Sequence, residues 1–312
     1  MKSVLITGGA GYIGSVLTTN LINLGYQVTV LDKLNYNKNS LSHLFSNKNF
    51  NLIIGDVTDK KLLQKIIIKK DIIIPLAALV GAPLCDKFPK LAKRVNYDSI
   101  LNLIKILKKK QKIIFPNTNS GYGIGKKNKF CNEESSLNPI SLYGVLKKNA
   151  ESEVLKFGNS VVFRLATVFG FSYRMRTDLM VNNFVYSALK DKKLNIFEPQ
   201  FRRNFIHVKD VVNAFIFAIK NFNKMRGNVY NLGLSTANFT KLQLAKEIKK
   251  NIKELKIYTN SKKSDPDKRD YFVSNRKIEK LGFRAKFSLQ DGIVELIKVF
   301  RLGFDMKIKN NY

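Results

Sequence analysis

The chain is poor in the residues that build metal sites and disulfide frameworks. Of its 312 residues, two are cysteine, two are histidine and none is tryptophan. The cysteines, Cys85 and Cys131, have no CxxC spacing, and the histidines do not cluster. These counts exclude a disulfide-rich secreted scaffold and indicate no zinc site. We expect no bound metal, and a single Cys85–Cys131 disulfide is the remaining alternative.

Long apolar runs are also missing. No stretch approaches the ~20 consecutive apolar residues that a membrane-spanning helix needs. The chain enters a strand pattern at Ser3, which leaves no room for a signal peptide. We therefore expect a cytoplasmic protein without membrane insertion. With 45% hydrophobic residues, it is long enough to bury a large core in one domain or in two closely joined ones.

Acidic residues are scarce: 23 Asp and Glu stand against 55 Lys and Arg, a formal net charge of +32. Such an excess normally suggests a nucleic-acid or membrane-surface partner. Here the lysines are spread along the chain, and no basic run interleaved with aromatic residues stands out. We interpret most of them as solvated helix faces and expect no nucleic-acid partner. A substrate that carries a diphosphate would still benefit from the positive field.

Short β-branched runs alternate with amphipathic segments through residue 165, a pattern typical of βαβ units and a parallel sheet. Candidate strands lie at 3–7, 27–31, 50–55, 71–76, 112–117 and 160–165. Candidate helices lie at 13–24, 59–68, 89–109 and 141–157, and further on near 178–190, 209–220, 239–249 and 289–300. We predict an α/β fold with a Rossmann-type, doubly wound parallel sheet over residues 1–165. A smaller C-terminal α/β substrate-binding domain follows over 166–312, with some segments returning to the sheet.

A glycine-rich turn follows the first candidate strand. Residues 7–14 read TGGAGYIG and open a helical pattern. Glycines there allow a tight reversal, a close approach of the backbone to a pyrophosphate and close packing of the helix on the sheet. The helix N-terminus favours an anion. We predict a dinucleotide-binding turn, and a plain tight turn is the alternative. Its expected contacts are Gly8, Gly11, Tyr12, Ile13 and Gly14.

The second candidate strand ends in Asp32, 18 residues after Gly14. A carboxylate at this position accepts hydrogen bonds from the adenosine ribose hydroxyls and repels a 2′-phosphate, which favours NAD over NADP. The neighbouring Lys33 would weaken that repulsion. A solvated turn residue is the other interpretation of Asp32.

Tyr143 and Lys147 stand four residues apart in a helical pattern, which places both side chains on one helix face. A tyrosine with a pKa near 10 is a poor base at neutral pH, but a nearby ammonium favours its phenolate. The pair therefore suggests a tyrosine base assisted by lysine. A surface Tyr/Lys pair is the alternative.

The candidate strand 112–117 ends in PNTNSGYG, which brings hydroxyl groups to the carboxyl edge of the sheet, where open α/β folds bind ligands. With this motif the chain resembles the extended short-chain dehydrogenase/reductase family, the NAD-dependent epimerases and dehydratases of nucleotide sugars. The resemblance covers nearly the whole length. The matching motifs are TGGxGxxG, the acidic strand end, Asp56-Val57, Leu76-Ala77-Ala78, Asn96, Thr118, YxxxK and the run 203–208.

The resemblance implies roles for individual residues around an NAD cofactor. Asp56 and Val57 would flank the adenine, and residues 76–78 (Leu76, Ala77 and Ala78) would line the central channel, with Asn96 nearby. Thr118 would hydrogen-bond the reacting sugar hydroxyl, although Ser120 is an alternative. Tyr143 would be the base and Lys147 would bind the nicotinamide ribose.

For the substrate, the resemblance implies a nucleotide-diphosphate sugar. Its expected contacts are Thr118, Asn119, Ser120, Thr167, Asn182, Asn183, Arg203 and Arg269. Arginine suits this task because its planar fork pairs phosphate oxygens bidentately. Family members form a four-helix dimer interface from the two helices expected at 89–109 and 141–157. An apolar stripe of Leu101, Ile104 and Leu107 in the first of these predicts a homodimer or a higher homo-oligomer.

Two departures from the family pattern narrow the reaction. Dehydratases carry Asp-Glu directly after the catalytic Thr, and decarboxylases carry Glu two residues after it, where this chain has Asn119 and Ser120. The extra acid or base that elimination needs is therefore missing. Thr167 stands where many 4-epimerases carry Asn, which puts a standard epimerase phosphate contact in doubt.

Four strings resemble a subgroup of sugar-nucleotide 4-dehydrogenases that act on GDP-linked manno-heptose in capsule sugar modification. They are PNTNSGYGIG, RLATVFG, FRRNFIHVKDV and DPDKRDYFVSN. We therefore expect NAD-dependent oxidation at C4 of a nucleotide sugar, with GDP-linked sugars favoured. A nucleotide-sugar 4-epimerase is the first alternative, and a non-catalytic NAD-binding sensor is the second.

Overall fold

The computed structural model describes residues 2–125, 129–260 and 269–303. Residues 265–268 of the string DPDKRDYFVSN lie outside this part of the chain. The strands are β1 (Ser3–Thr7), β2 (Gln27–Asp32), β3 (Phe50–Ile54), β4 (Ile72–Pro75), β5 (Lys112–Thr118), β6 (Phe130–Cys131), β7 (Ser160–Leu165), β8 (Thr167–Phe169), β9 (Lys193–Phe197), β10 (Arg202–His207), β11 (Asn228–Leu232), β12 (Asn238–Thr240), β13 (Lys256–Asn260) and β14 (Phe272–Val273). The helices are α1 (Tyr12–Asn23), α2 (Lys60–Ile67), α3 (Ala82–Lys87), α4 (Pro89–Lys93), α5 (Ser99–Ile106), α6 (Leu142–Phe157), α7 (Met180–Asp191), α8 (Val208–Lys220), α9 (Phe222–Met225), α10 (Lys241–Lys249), α11 (Arg276–Lys280) and α12 (Leu289–Arg301).

A parallel sheet with the strand order β11-β7-β5-β4-β1-β2-β3 forms the centre of the molecule. Its central strands β1 and β4 are buried along their whole length. Since neighbouring residues of a strand point to opposite faces, burial of every residue requires helices on both sides of the sheet. One face packs against α1 and α8, and the other against α2, α5 and α6. The predicted Rossmann-type sheet is confirmed.

The helix expected at 89–109 is present from Pro89 to Ile106, but it contains a π-helical turn and ends three residues early. The chain forms α4, then a π-helical turn over Arg94–Asp98, then α5, which ends at Ile106. The short helix α3 precedes them. The π turn accompanies an inward-facing Asn96, which is 2% exposed and bonds to the backbone of Leu79 through both amide atoms.

The apolar stripe expected on this helix is partly buried, and the oligomer that it predicts stays a prediction. Ile104 and Leu107 pack against the buried clusters beneath α5 and α6 rather than forming an outer face. The exposed apolar side chains nearby include Phe88 before α4, Leu91 on α4, Ile140 before α6 and Val145 on α6.

Residues beyond 166 form a second lobe from small sheets and helices. β8 pairs with β10 in parallel and β10 pairs with β12 antiparallel. Parallel pairs join β9 to β13 and β6 to β14. β11 instead returns to the main sheet beside β7. The second lobe therefore begins directly beyond the carboxyl ends of the main strands, where it forms one wall of a cleft.

Within the described ranges, no helix is long and apolar enough to cross a membrane. In the same part of the chain, no three His, Cys, Asp or Glu side chains gather into a group that could hold a metal ion. Cys85 and Cys131 are both free thiols and both buried.

Candidate active site

The glycine turn joins β1 to α1 in a conformation that side chains would block. Gly8 has φ +72, and a Cβ there would lie 2.6 Å from the backbone nitrogen of Ala77. A Cβ on Gly14 would collide with the backbone of Gly8 and Gly9. α1 starts at Tyr12, with Gly11 at its N-cap and no side-chain cap. The turn therefore leaves the helix N-terminus open to an anion, which suits the diphosphate of a dinucleotide.

The carboxylate of Asp32 is fixed at the end of β2. It accepts hydrogen bonds from the backbone nitrogen of Ala10 at 3.0 Å and from that of Leu34 at 2.8 Å. Lys33 does not neutralise it, because the Lys33 ammonium lies 3.0 Å from a carboxylate oxygen of Asp56. Asp32 thus lies beside the glycine turn, and the nearby Lys33 is paired with Asp56 instead.

One cavity of about 680 Å³ runs from the glycine turn to the carboxyl ends of β5 and β7. It brings together residues that are up to 263 positions apart, from Gly8 to Tyr271. The predicted site residues that line it are Gly8, Gly11, Tyr12, Ile13, Gly14, Asp32, Asp56, Val57, Leu76, Ala77, Ala78, Thr118, Ser120, Tyr143, Lys147, Thr167, Asn183, Arg203 and Arg269.

Thr118 is the last residue of β5 and caps the short turn that follows. Its hydroxyl accepts a hydrogen bond from the backbone nitrogen of Ser120 at 3.1 Å and lies 2.8 Å from the Ser120 hydroxyl. Arg269 donates to that second hydroxyl from Nη1. Both hydroxyls named by the sequence therefore share one corner of the cavity with a cation from the second lobe.

Tyr143 and Lys147 lie on successive turns of α6, which Ser141 caps by accepting from the backbone nitrogen of Gly144. The Lys147 ammonium donates to the carbonyl oxygen of Pro116 at 2.6 Å and lies 4.1 Å from the ring centre of Phe115. These contacts with β5 hold the lysine on the cavity side of the sheet.

Burial dominates the acid–base properties of this pair. It raises the pKa of Tyr143 to about 12, against the lowering effect of the Arg269 and Arg176 charges. It lowers the pKa of Lys147 to about 7, against the carboxylate of Glu151. Desolvation thus outweighs the nearby positive charges at Tyr143. The expected assistance of the tyrosine base by Lys147 stays a prediction.

Both arginines predicted from the sequence, Arg203 and Arg269, reach the cavity from the second lobe. Arg203 on β10 is 1% exposed, and its Nη1 donates to the carbonyl oxygens of Arg202 and Arg269. Arg269 contacts Ser120 as described above. Asn183 on α7 and Thr167 at the start of β8 complete this wall.

Three predicted contact residues are not among the described residues that line the cavity. Asn96 supports the chain after β4, and Asn119 is 1% exposed with no hydrogen-bond partner on either amide atom. Asn182 is fully buried; it accepts from the backbone nitrogen of Gly170 and donates to the carbonyl oxygen of Arg176. Both atoms of the Asn182 amide are bonded inside the protein, and its expected contact with the substrate stays a prediction.

Three charged residues on the loop after β8 also belong to the site, although we did not predict them from the sequence. Arg174, Arg176 and Asp178 line the cavity, as does Tyr36 after β2. Arg176 and Asp178 form a bidentate ion pair. The string RMRTD begins four positions after the last residue of RLATVFG and was the available signal. Charged residues shortly beyond a strand end fall at the ligand-binding edge of such a sheet.

The cavity brings the glycine turn together with the Tyr143–Lys147 pair and the hydroxyls of Thr118 and Ser120. Oxidation of a nucleotide-linked substrate by a bound dinucleotide requires groups of these kinds. The profile of the NAD dependent epimerase/dehydratase family matches residues 4–233. The chain is 29% identical to UDP-glucuronic acid decarboxylase 1 of Arabidopsis thaliana over 96% of this chain and 69% of that protein. It is 30% identical to dTDP-D-glucose 4,6-dehydratase of Dictyostelium discoideum over 80% of this chain and 62% of that protein.

Among solved structures, the UDP-glucose 4-epimerase of Thermotoga maritima in complex with UDP-glucose is similar throughout. It is 26% identical, covers 97% of this chain with 100% of its own, and superimposes with a TM-score of 0.85. The predicted resemblance to NAD-dependent enzymes of nucleotide sugars is confirmed. The chain belongs to the NAD dependent epimerase/dehydratase family.

Proposed function

We propose that the protein is an NAD-dependent 4-epimerase of a nucleotide sugar. It would oxidise the C4 hydroxyl to a ketone and then reduce the ketone from the opposite face. The observation that carries this proposal is the corner formed by Thr118, Tyr143 and Lys147. It lies in the same cavity as the glycine turn, and Asn119 and Ser120 follow Thr118.

The carboxylates around the cavity argue against elimination and decarboxylation. Among the described lining residues these are Asp32, Asp56 and Asp178. Asp32 and Asp56 lie at the ends of the strands beside the glycine turn, and Asp178 is paired with Arg176. The position two residues after Thr118, where the family's decarboxylases carry Glu, holds the neutral Ser120. This chain thus keeps the groups for oxidation and lacks an added acid or base next to them.

In this proposal Thr118 and Ser120 orient the sugar hydroxyl by hydrogen bonding, and Tyr143 accepts its proton. When bound, NAD supplies the hydride acceptor, and the cationic nicotinamide favours the tyrosine phenolate. Lys147, whose pKa is lowered to about 7, would be a further proton donor in the cavity that Tyr143 lines. Arg203, Arg269 and Asn183 would hold the diphosphate and nucleotide, where the positive field favours an anion.

A 4-dehydrogenase of a GDP-linked sugar such as GDP-manno-heptose is the second candidate. Thr167 favours it, since many 4-epimerases carry Asn at that position. The four strings shared with that subgroup also favour it. Such an enzyme would release the keto-sugar and leave reduced cofactor behind, whereas an epimerase restores NAD in each cycle.

The deciding experiment incubates the purified protein with UDP-glucose, UDP-glucuronic acid, dTDP-glucose, GDP-mannose and GDP-manno-heptose. Absorbance of NADH is followed, and products are analysed by mass spectrometry and NMR. Unchanged mass with inverted C4 supports the epimerase. Loss of two hydrogens with accumulated NADH supports the dehydrogenase, and loss of water or carbon dioxide contradicts both. Binding of NAD without turnover of any sugar would favour the sensor.

We also propose a cytoplasmic homodimer built on α4 and α6. Phe88 is 45% exposed and Val145 is 38% exposed, although both are apolar. Light scattering at micromolar concentration should give twice the monomer mass, and the double variant Phe88→Asp/Val145→Glu should give the monomer mass. Monomeric wild-type protein would contradict this assembly.

A further inference from the structure

The loop of residues 170–178, here called the arginine loop, is fixed directly to the first turn of α1. The Tyr12 hydroxyl donates to the carbonyl oxygen of Gly170 at 2.6 Å. The Ser172 hydroxyl donates to the carbonyl oxygen of Tyr12 at 2.6 Å and lies 3.1 Å from the Ser15 hydroxyl. These bonds are buried, so the loop position follows the position of the glycine turn.

Two further anchors hold the arginine loop from the side of the second lobe. The backbone nitrogen of Phe171 donates to Glu295 on α12 at 2.8 Å. Asn182 on α7 accepts from the backbone nitrogen of Gly170 at 3.1 Å and donates to the carbonyl oxygen of Arg176 at 2.8 Å. The loop is therefore held at both ends, and its arginines have defined positions.

Arg174 lies in this loop and faces the part of the cavity that the glycine turn borders. It is 3% exposed, and its guanidinium carbon lies 4.5 Å from the ring centre of Tyr36, which follows β2. Burial and the charge of Arg176 lower the pKa of Arg174 to about 10, against Asp178, Tyr36 and Asp32. A desolvated cation that lines a cavity gains from a bound anion.

We propose that Arg174 donates to the diphosphate of the bound dinucleotide, so that the cofactor is held between the glycine turn and the arginine loop. The position of Arg174 in the fold supports this contact. Ser172, two residues before Arg174, is bonded to the first turn of α1, whose N-terminus is the expected diphosphate site. The charge of Arg174 also acts on Asp32, the expected ribose ligand. In any dinucleotide the diphosphate is attached to the adenosine ribose. It therefore connects the expected site at the N-terminus of α1 with the expected ribose site at Asp32.

This inference rests on the NAD-binding part of the proposed function and adds a cofactor contact from the second lobe. A guanidinium on the diphosphate would slow cofactor release. Slow release suits an enzyme that restores its cofactor in each cycle, because NAD need not leave between turnovers.

The test measures binding of adenosine, ADP, NAD and NADP by calorimetry to Arg174→Gln and to the wild-type protein. Because one charge-assisted hydrogen-bonding pair is removed, we expect ADP and NAD to bind about 10- to 100-fold more weakly. Adenosine, which has no phosphate, should bind equally well to both. Arg226→Gln, which removes one exposed charge elsewhere, should change none of these affinities and controls for the net charge.

Each other outcome overturns the inference. Unchanged ADP and NAD affinities would show that Arg174 does not contact the diphosphate. An equal loss for adenosine would show that the substitution only disturbs the loop. A loss confined to NADP would assign the arginine to a 2′-phosphate instead.

Two further variants keep the test decisive. If Arg174→Gln fails to melt cooperatively, Arg174→Lys carries the test, with a smaller loss for ADP expected because charge remains without the bidentate fork. Tyr12→Phe, which removes the bond to Gly170, should weaken ADP and NAD but not adenosine. Failure of wild-type protein to bind NAD would overturn the proposed function itself, whereas normal NAD binding by Arg174→Gln overturns only this inference.

Discussion

Arg164 on β7 and Glu151 on α6 form a buried bidentate ion pair behind the candidate site. Their side chains are 6% and 5% exposed, with Nη2 to Oε1 at 2.6 Å and Nε to Oε2 at 3.2 Å. Asn117 on β5 donates to the same carboxylate. Glu151 lies one helical turn after Lys147, and Asn117 precedes Thr118. The pair thus joins the strand and helix that carry the proposed catalytic residues.

Breaking this pair should be costly. Glu151→Gln leaves the Arg164 guanidinium buried without its counter-charge, so we expect a loss of about 3–5 kcal/mol in the free energy of unfolding. Urea denaturation at pH 7 measures it. Glu153→Gln, which breaks the exposed pair with Lys156 on the same helix, should leave stability nearly unchanged. If adding Arg164→Met to Glu151→Gln restores nothing, the uncompensated charge is not the cause.

NAD should bind at least tenfold more tightly than NADP, a difference of about 1.4 kcal/mol. The reason is that a carboxylate at Asp32 would repel a 2′-phosphate, while Lys33 is paired with Asp56. Calorimetry with both cofactors checks the ratio, and Asp32→Asn should narrow it by binding NADP better. Equal affinities in the wild-type protein would contradict the role of Asp32.

Tyr143→Phe should lower kcat by about 10²- to 10⁴-fold, because it removes the proposed general base. Affinity for the nucleotide sugar should stay within a few-fold of wild type, since the ring remains in place. Initial rates and calorimetry on the sugar identified by the panel give both values. Tyr258→Phe, at a half-exposed position, serves as the matched control, and normal turnover by Tyr143→Phe would assign the base elsewhere.

Stability should depend on pH through Glu295. Burial opposes ionisation of this carboxyl, but hydrogen bonds from His207, Lys209 and the backbone nitrogen of Phe171 lower its pKa to about 2. A depressed carboxyl pKa adds stability above the unfolded value near 4.5, and this stability is lost as the pH falls toward 2. Glu295→Gln should therefore cost about 2 kcal/mol at pH 7, after allowance for solvent screening.

The measurement is urea unfolding of Glu295→Gln and wild-type protein between pH 2.5 and 7. The difference between them should shrink steadily below pH 4.5. Glu254→Gln, at a fully exposed pair with Lys192, should show almost no difference at any pH. A Glu295→Gln defect that persists at pH 2.5 would mean that packing, and not the charge, is responsible.

Local patterns in the sequence were enough to predict the main sheet and much of the candidate site. The glycine turn, Asp32 and the Tyr143–Lys147 pair were all recognisable, because each depends on spacing within a single strand, turn or helix. Periodicity also located α1, α2, α6, α7, α8, α10 and α12 to within about three residues. Such features follow from backbone geometry, which the sequence encodes over short distances.

Other features depend on contacts between distant residues. The helix expected at 89–109 contains a π-helical turn, within which Asn96 faces inward and bonds to the chain after β4. The amide of Asn182 is bonded to the arginine loop. The pKa of Tyr143 is raised because tertiary packing removes water, which no helical spacing expresses.

The sequence by itself thus determined the family, the parallel sheet and the residue types of the site. Only the tertiary structure decided which residues face the cavity. The bond from Tyr12 to Gly170 spans 158 positions, and it brings the arginine loop beside the glycine turn. Neither segment carries a local signal of the other, because their contact forms only when the second lobe packs against α1. Burial and contacts between distant residues, rather than spacing along the sequence, shift the pKa values of Tyr143 and Lys147.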